Sequence, residues 1–212
     1  MIAPTPLECA LQSQRIYTDA TGWAHYWSTD DVVVGHKEYD NFDLLSLRGT
    51  ACIEDVIRDI MAALPAWHDQ LGFVAGGFMT GLDDVFAETR AVVGLNAGKP
   101  LYITGHSLGG ARARLLAGLY VVNRLNIAGV TVFGSPKPAF ANLGRIFQKA
   151  RIVHDSYRFY NDGGPLLPLT FEPCFDFVHT EAWTPLVGHS PAGDLGPLRD
   201  HAIANYIAAL TP

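Results

Sequence analysis

Gly105-His106-Ser107-Leu108-Gly109 sets a serine between two glycines, after the apolar run Leu101-Tyr102-Ile103-Thr104 and ahead of a stretch of helix formers. A serine hydroxyl is a weak nucleophile. On a sharp turn from strand into helix its oxygen is exposed, with room beside it for a base, and the two glycines leave that room. A helix that begins at the serine also aims backbone N–H groups and the positive end of its dipole at the place where an acyl oxyanion would form. Leu108 N–H is the nearest such donor. The pattern itself is short, and with 21 glycines in 212 residues it arises by chance about 0.07 times per chain. Its flanks give it weight, because residues 101–104 read as a buried strand and residues 111–123 carry Leu115, Leu116, Leu119 and Val122 on a helical pattern.

A serine nucleophile needs a base, and the base needs an orienting acid. On a strand-to-helix elbow the chain order is serine, then Asp or Glu, then His. Among the downstream acids, Asp162 directly follows Arg158-Phe159-Tyr160-Asn161 and precedes Gly163-Gly164-Pro165. That places it on a loop at the carboxyl end of a strand, where sheets of this kind hold their sites. The same tetrad, Asn-Asp-Gly-Gly, is also good turn chemistry. The histidines beyond it are His179, His189 and His201. His201 lies at the head of the last helix and His189 in a loop, and the residues alone leave both open as the base.

The elements that must position these groups can be read along the chain. Residues 1–21 pattern as an N-terminal helix, residues 23–29 and 31–39 as a hairpin, and 42–47 as a third strand. Ile53, Val56, Ile57, Ile60 and Leu64 recur at helical spacing until Pro65 stops them, and a second helix is expected over 81–93. After the elbow come a strand at 130–133, a helix at 139–149 and a strand at 156–160. This alternation predicts an α/β fold with a mostly parallel central sheet flanked by helices and antiparallel strands at its N-terminal side. Residues 165–191 are Pro-rich and irregular, with short antiparallel strands expected around 175–178 and 181–183, and residues 198–210 close the chain as one helix. No repeat or linker interrupts it, so 1–212 reads as a single domain.

Composition narrows the partners. A net charge of −6, with Lys and Arg scattered, argues against nucleic acid and for a neutral or apolar small molecule. No apolar stretch approaches ~20 residues, so no transmembrane helix is expected. Residues 1–17 carry Pro4, Pro6, Glu8 and Arg15 where a signal peptide would need a basic end and an apolar run. The expectation is a cytoplasmic protein, or export by a route the sequence does not display. Cys9, Cys52 and Cys174 are odd in number and far apart, and read as small buried residues. The eight histidines include no His-Glu-x-x-His and no pair at ligand spacing backed by carboxylates, so neither metal nor cofactor is expected.

Several segments together resemble a known family. Gly-His-Ser-Leu-Gly-Gly, the earlier Leu47-Arg48-Gly49-Thr50, the later Phe133-Gly134-Ser135-Pro136-Lys137, Asn161-Asp162 with Pro165 and Leu167-Pro168, and Asp200-His201 with Tyr206 match the class 3 lipases in order. These are α/β-hydrolases that include fungal-type triacylglycerol lipases, feruloyl esterases and some phospholipases. The resemblance spans about 42–210. It implies Ser107 as nucleophile, Asp162 as acid, His201 as base, and an oxyanion hole from the backbone N–H groups of Thr50 and Leu108. It implies a lipid or small-molecule ester as substrate, with transient contact to a lipid surface. A phospholipase A1 or an acyltransferase would use the same triad, and a catalytically silent lipid- or protein-binding fold is the rival from another class. Two positions depart from the family pattern: Val74-Ala75-Gly76-Gly77-Phe78 lacks a usual histidine, and Val56 stands where a tryptophan is usual. Residues 51–64 occupy the place of the fungal lid, but Glu54, Asp55, Arg58 and Asp59 give that helix a solvated face, which puts interfacial activation in question.

Overall fold

The computed structural model describes residues 3–49, 64–93, 98–167, 177–187 and 197–212. The helix expected over 51–64 therefore lies, but for Leu64, outside the described residues, as do Thr50, Cys52, Cys174 and His189.

Helix α1 spans Pro6–Arg15. Thr5 caps it by accepting the Glu8 N–H at 3.2 Å, and Pro6 fills a first-turn position where no N–H is needed. It is shorter than the expected 1–21 because Asp19 takes the chain out of helix: its carboxylate accepts from Arg15 at 2.7 Å and from the Thr21 amide at 2.8 Å. A meander follows, β1 (His25–Ser28), β2 (Val33–Glu38) and β3 (Asp43–Leu47), antiparallel throughout. Next comes a hairpin that the sequence reading missed, β4 (Pro65–His68) with β5 (Gly72–Ala75), and a single helical turn, α2 (Gly76–Met79). In the sequence Pro65 reads only as a helix stop, and four-residue strands carry too little alternation to register.

The remainder alternates: α3 (Leu82–Val93), β6 (Leu101–His106), α4 (Leu108–Val122), β7 (Ile127–Phe133), α5 (Ala141–Ala150), β8 (Val153–Phe159) and β9 (Thr184–Leu186), then α6 (Pro197–Asp200) and α7 (Ile203–Leu210). The main sheet runs β1-β2-β3-β6-β7-β8-β9, parallel from β3 onward. This is the α/β-hydrolase arrangement expected, with two corrections in the C-terminal third. Of the strand expected around 175–178, residues 175–176 lie outside the described residues and Val178 makes one isolated antiparallel bridge to Ala139; residues 181–183 form no strand, and 184–186 add a parallel edge strand to β8. The closing helix is broken at His201-Ala202 into α6 and α7.

Two apolar layers sandwich the sheet. On one face, Leu45, Leu47, Ile103, Val130 and Val132 pack against Leu115, Leu116 and Leu119 of α4 and Val85 of α3. On the other, Phe42, Leu44, Phe133 and Phe159 meet Cys9 and Ala10 of α1 and Tyr206 of α7. Cys9 is buried as expected, and burial pushes its thiol up to about 12, which keeps it protonated and unreactive. Helix α4 is buried along nearly its whole length, so its apolar residues fall on every side and not on a single stripe.

Candidate active site

The chain passes from β6 into α4 through Ser107, which holds φ 58° and ψ −132°. Such a conformation is costly for a residue with a Cβ and occurs where surrounding structure enforces it. The enforcing contacts are backbone on backbone. A Cβ on Gly105 would stand 2.3 Å from the Gly109 carbonyl oxygen, and one on Gly109 would stand 2.2 Å from that of Leu47. Only glycine lets the strand, the helix and the end of β3 approach so closely. The Ser107 N–H donates to the Phe133 carbonyl at 2.9 Å and so is committed to the sheet. Leu108 is the first residue of α4, where a backbone N–H has no acceptor within its own helix.

Around the serine the structure gathers residues from three distant parts of the chain. The Ser107 hydroxyl lies 2.7 Å from His201 Nε2, and His201 Nδ1 lies 2.8 Å from Asp162 Oδ1. Asp162 is fully buried, and each of its oxygens has a further donor: the Gly164 amide on Oδ1 at 2.7 Å, the Tyr206 hydroxyl on Oδ2. Burial and the neighbouring carboxylate hold the Tyr206 phenol well above its usual range, so it donates throughout. Gly134, at φ +55°, completes the packing, because a Cβ there would stand 2.6 Å from Asp162 Oδ2. The break between α6 and α7 puts His201 on a turn, and Asp200 secures that turn by accepting the Asn161 N–H at 3.2 Å.

A second set of bonds reaches His201 from behind. His106 Nε2 lies 2.6 Å from the His201 carbonyl, which can only accept, so Nε2 carries the proton. Its Nδ1 is then an acceptor for the Tyr17 hydroxyl at 3.3 Å, and Tyr17 in turn accepts the Gly49 N–H at 3.2 Å. Burial, with the charge of His201 beside it, pushes His106 down to about 3, which keeps the ring neutral and this direction of donation fixed. Burial likewise raises the Tyr17 phenol to about 12. The chain of bonds ties the segment just before Thr50 to the backbone of His201.

Of the sequence candidates, the structure brings Ser107, Asp162 and His201 together and sets Leu108 at the helix start beside them. Thr50 and His189 lie outside the described residues. His179 is engaged elsewhere: one ring nitrogen faces Arg114 at 3.3 Å and the other the Pro165 carbonyl. Arg114, fully buried, also donates to Ser156 Oγ and to Glu181 Oε1, each at 2.7 Å. Burial alone would raise the Glu181 carboxyl, but Arg114 and His154 outweigh it and hold it at about 2. Sequence reasoning missed Tyr17 and Arg114, which no local motif marks, and gave no role to His106, although it stands inside the elbow.

The family model for lipase (class 3) matches residues 44–166. No curated protein matches the chain in sequence. Among solved structures, the triacylglyceride lipase of Rhizomucor miehei is 24% identical with a TM-score of 0.65, over 80% of this chain and 67% of that one. The Rhizomucor miehei lipase in its native propeptide complex is 17% identical with a TM-score of 0.69, over 94% and 77%. Lipase II from Rhizopus niveus is 22% identical with a TM-score of 0.61, over 68% and 60%. At these identities the structures speak for a shared fold, while the family match covers more than half of the chain.

Proposed function

The chain belongs to the class 3 lipase family and is a carboxylic-ester hydrolase, and on that premise we propose that Ser107 is its nucleophile, His201 its general base and Asp162 the acid that orients the base. The observation that carries this reading is the unbroken line of bonds from Ser107 Oγ through His201 to Asp162, at 2.7 and 2.8 Å. As Ser107 Oγ bonds to the ester carbonyl carbon, its proton passes to His201 Nε2 and the carbonyl oxygen becomes an oxyanion. The backbone N–H groups of Leu108 and Thr50 receive that charge, and one such donor is worth about 3 kcal/mol. Collapse breaks the bond to the alcohol, which leaves with the proton from His201. Water then repeats the sequence on the acyl-enzyme and restores Ser107. Asp162 holds the Nδ1–H tautomer throughout, and the Tyr206 and Gly164 donors keep its carboxylate fixed.

The chain 1–212 acts in this reading as one hydrolase domain. Its preferred substrates are soluble short- to medium-chain esters, because the charged face expected for 51–64 offers little apolar surface for docking on an oil droplet. A fluorophosphonate should label Ser107 and no other serine, and labelling that survives Ser107→Ala overturns the assignment. With p-nitrophenyl esters of increasing acyl length, the rate should rise smoothly with monomeric substrate and show no jump at the solubility limit. A jump at the limit with long-chain preference would identify a lipase acting at interfaces. Preference for phospholipid, or transfer to an alcohol in place of water, would identify the phospholipase or acyltransferase that shares the triad.

A further inference from the structure

At the antiparallel margin of the sheet, away from the residues gathered around Ser107, three potential metal ligands share one face. His25 of β1 stands directly opposite His36 of β2 in the register, and Glu38 follows His36 by two residues. Side chains two apart on a strand, and those directly opposite across a ladder, project to the same side. The two imidazoles lie nearly parallel with centroids 5.6 Å apart, and one donor atom from each of the three residues lies within 4.8 Å of the others. His25 and Glu38 are exposed, so the group is open to solvent on one side.

His36 itself is hard to account for by packing alone. It is fully buried, and among the described residues neither ring nitrogen has a hydrogen-bond partner. Its Nε2 has Asp43 Oδ1 at 3.4 Å, close enough for an ion pair but not aligned as a hydrogen bond. Asp43 is equally buried, and both its oxygens are also without hydrogen bonds. Two buried polar groups left in this state carry a desolvation penalty that no hydrogen bond offsets. With Nε2 beside Asp43, Nδ1 is the nitrogen left without any such neighbour.

We propose that His25, His36 and Glu38 form a binding site for a divalent zinc-class metal ion at the β1–β2 edge, with Asp43 as the carboxylate behind His36. Two imidazoles and one carboxylate are a donor set for zinc rather than for magnesium or calcium, which require oxygen ligands. Bonds of about 2.0–2.1 Å to a tetrahedral ion bring donors to roughly 3.3 Å of one another. His25 and Glu38, on the surface, can close that gap by rotating. An ion on Nδ1 makes the Nε2–H a stronger donor, and a carboxylate behind a ligating imidazole is the usual second partner of such a ligand. The ion thus gives both buried groups a partner and pins β1 to β2. No linear motif announces the site, because the hairpin register, and not the spacing along the chain, brings residue 25 to 36 and 38.

The full-length protein, freed of metal with a chelator, should bind one equivalent of Zn2+ in calorimetry and show a raised melting temperature. His25→Gln and Glu38→Gln, both at exposed positions that leave the fold intact, should each weaken binding at least about tenfold and remove the thermal shift. Asp43→Asn should weaken it about 10–100-fold. Co2+ bound in place of Zn2+ should give a tetrahedral absorption spectrum that His25→Gln abolishes. Zinc affinity equal in the wild type, His25→Gln and Glu38→Gln overturns the proposal, as does a preference for Mg2+ over Zn2+.

Discussion

Gly134→Ala tests whether the packing around Asp162 and His201 sets the rate. The added methyl would stand 2.6 Å from Asp162 Oδ2 and 3.0 Å from both His201 Nδ1 and the Tyr206 hydroxyl. Ordinary contact between such atoms begins near 3.5 Å, so the carboxylate or the loop bearing it must retreat by almost 1 Å. The residue also holds φ +55°, which costs an alanine about 1–2 kcal/mol. Overpacking adds about 1–3 kcal/mol. The expected loss of stability is therefore about 2–5 kcal/mol, read as a lowered urea midpoint with an unchanged slope. A displacement of ~1 Å in a catalytic group is worth about 100-fold in kcat. The assay is p-nitrophenyl butyrate hydrolysis at a temperature where the variant remains folded, with the rate of fluorophosphonate labelling as a second readout that should fall by the same factor. Gly77→Ala is the control, since no atom lies within 4 Å of its added methyl. If Gly134→Ala keeps its urea midpoint and a kcat within threefold of the wild type, the tight coupling of Asp162 to His201 is refuted.

Further outcomes follow from the same geometry. His201→Ala should lower kcat by several orders of magnitude, while His179→Ala should act mainly through stability, because His179 bridges Arg114 to the Pro165 carbonyl and does not meet the serine; a dead His179→Ala with wild-type stability would contradict this. Tyr17→Phe removes the acceptor of the Gly49 N–H and the donor to His106 in one step, and kcat should fall about tenfold with KM little changed. A change confined to KM would show that the chain of bonds does not position His201. Folding stability should fall on acidification. His106 is lowered from 6.5 to about 3 in the fold, so below 6.5 the unfolded chain takes the proton first. That contribution is fully present above pH 6.5 and is lost as pH falls toward 3, at about 1.4 kcal/mol per pH unit. His106→Gln should flatten the slope of urea stability against pH between 6.5 and 5 by about that amount, and an unchanged slope would refute the assignment.

What the sequence made legible was local. The elbow could be read because its strand, its two glycines and its helix are contiguous, and Asp162 because a strand end and a glycine turn bracket it. His201 and His189 could not be separated by their neighbours in the chain. The structure brings His201 to the serine through a break in the last helix, which helical periodicity reads straight across. Tyr17 and Arg114 escaped notice for a different reason: their partners lie 32 to 89 residues away for Tyr17 and 22 to 67 for Arg114, and nothing near either residue signals a buried bond. The edge strand β9 was misread because three residues with a proline among them show no period, and its parallel pairing depends on where β8 ends.

The backbone of Ser107 has one more consequence. At φ 58° the residue occupies a conformation that costs a side-chain-bearing residue about 1–3 kcal/mol and glycine very little. Replacing it with glycine would relieve that cost and give up one hydrogen bond worth about 1 kcal/mol. Folding therefore does nothing to keep the serine in place. On the proposed reading of Ser107 as nucleophile, selection for turnover alone retains it, and a lineage released from that selection could lose it in a single step while keeping its sheet, its helices and its stability. A library of variants sorted only for thermal survival would drift toward the same endpoint, so screens on this scaffold need an activity gate at every round.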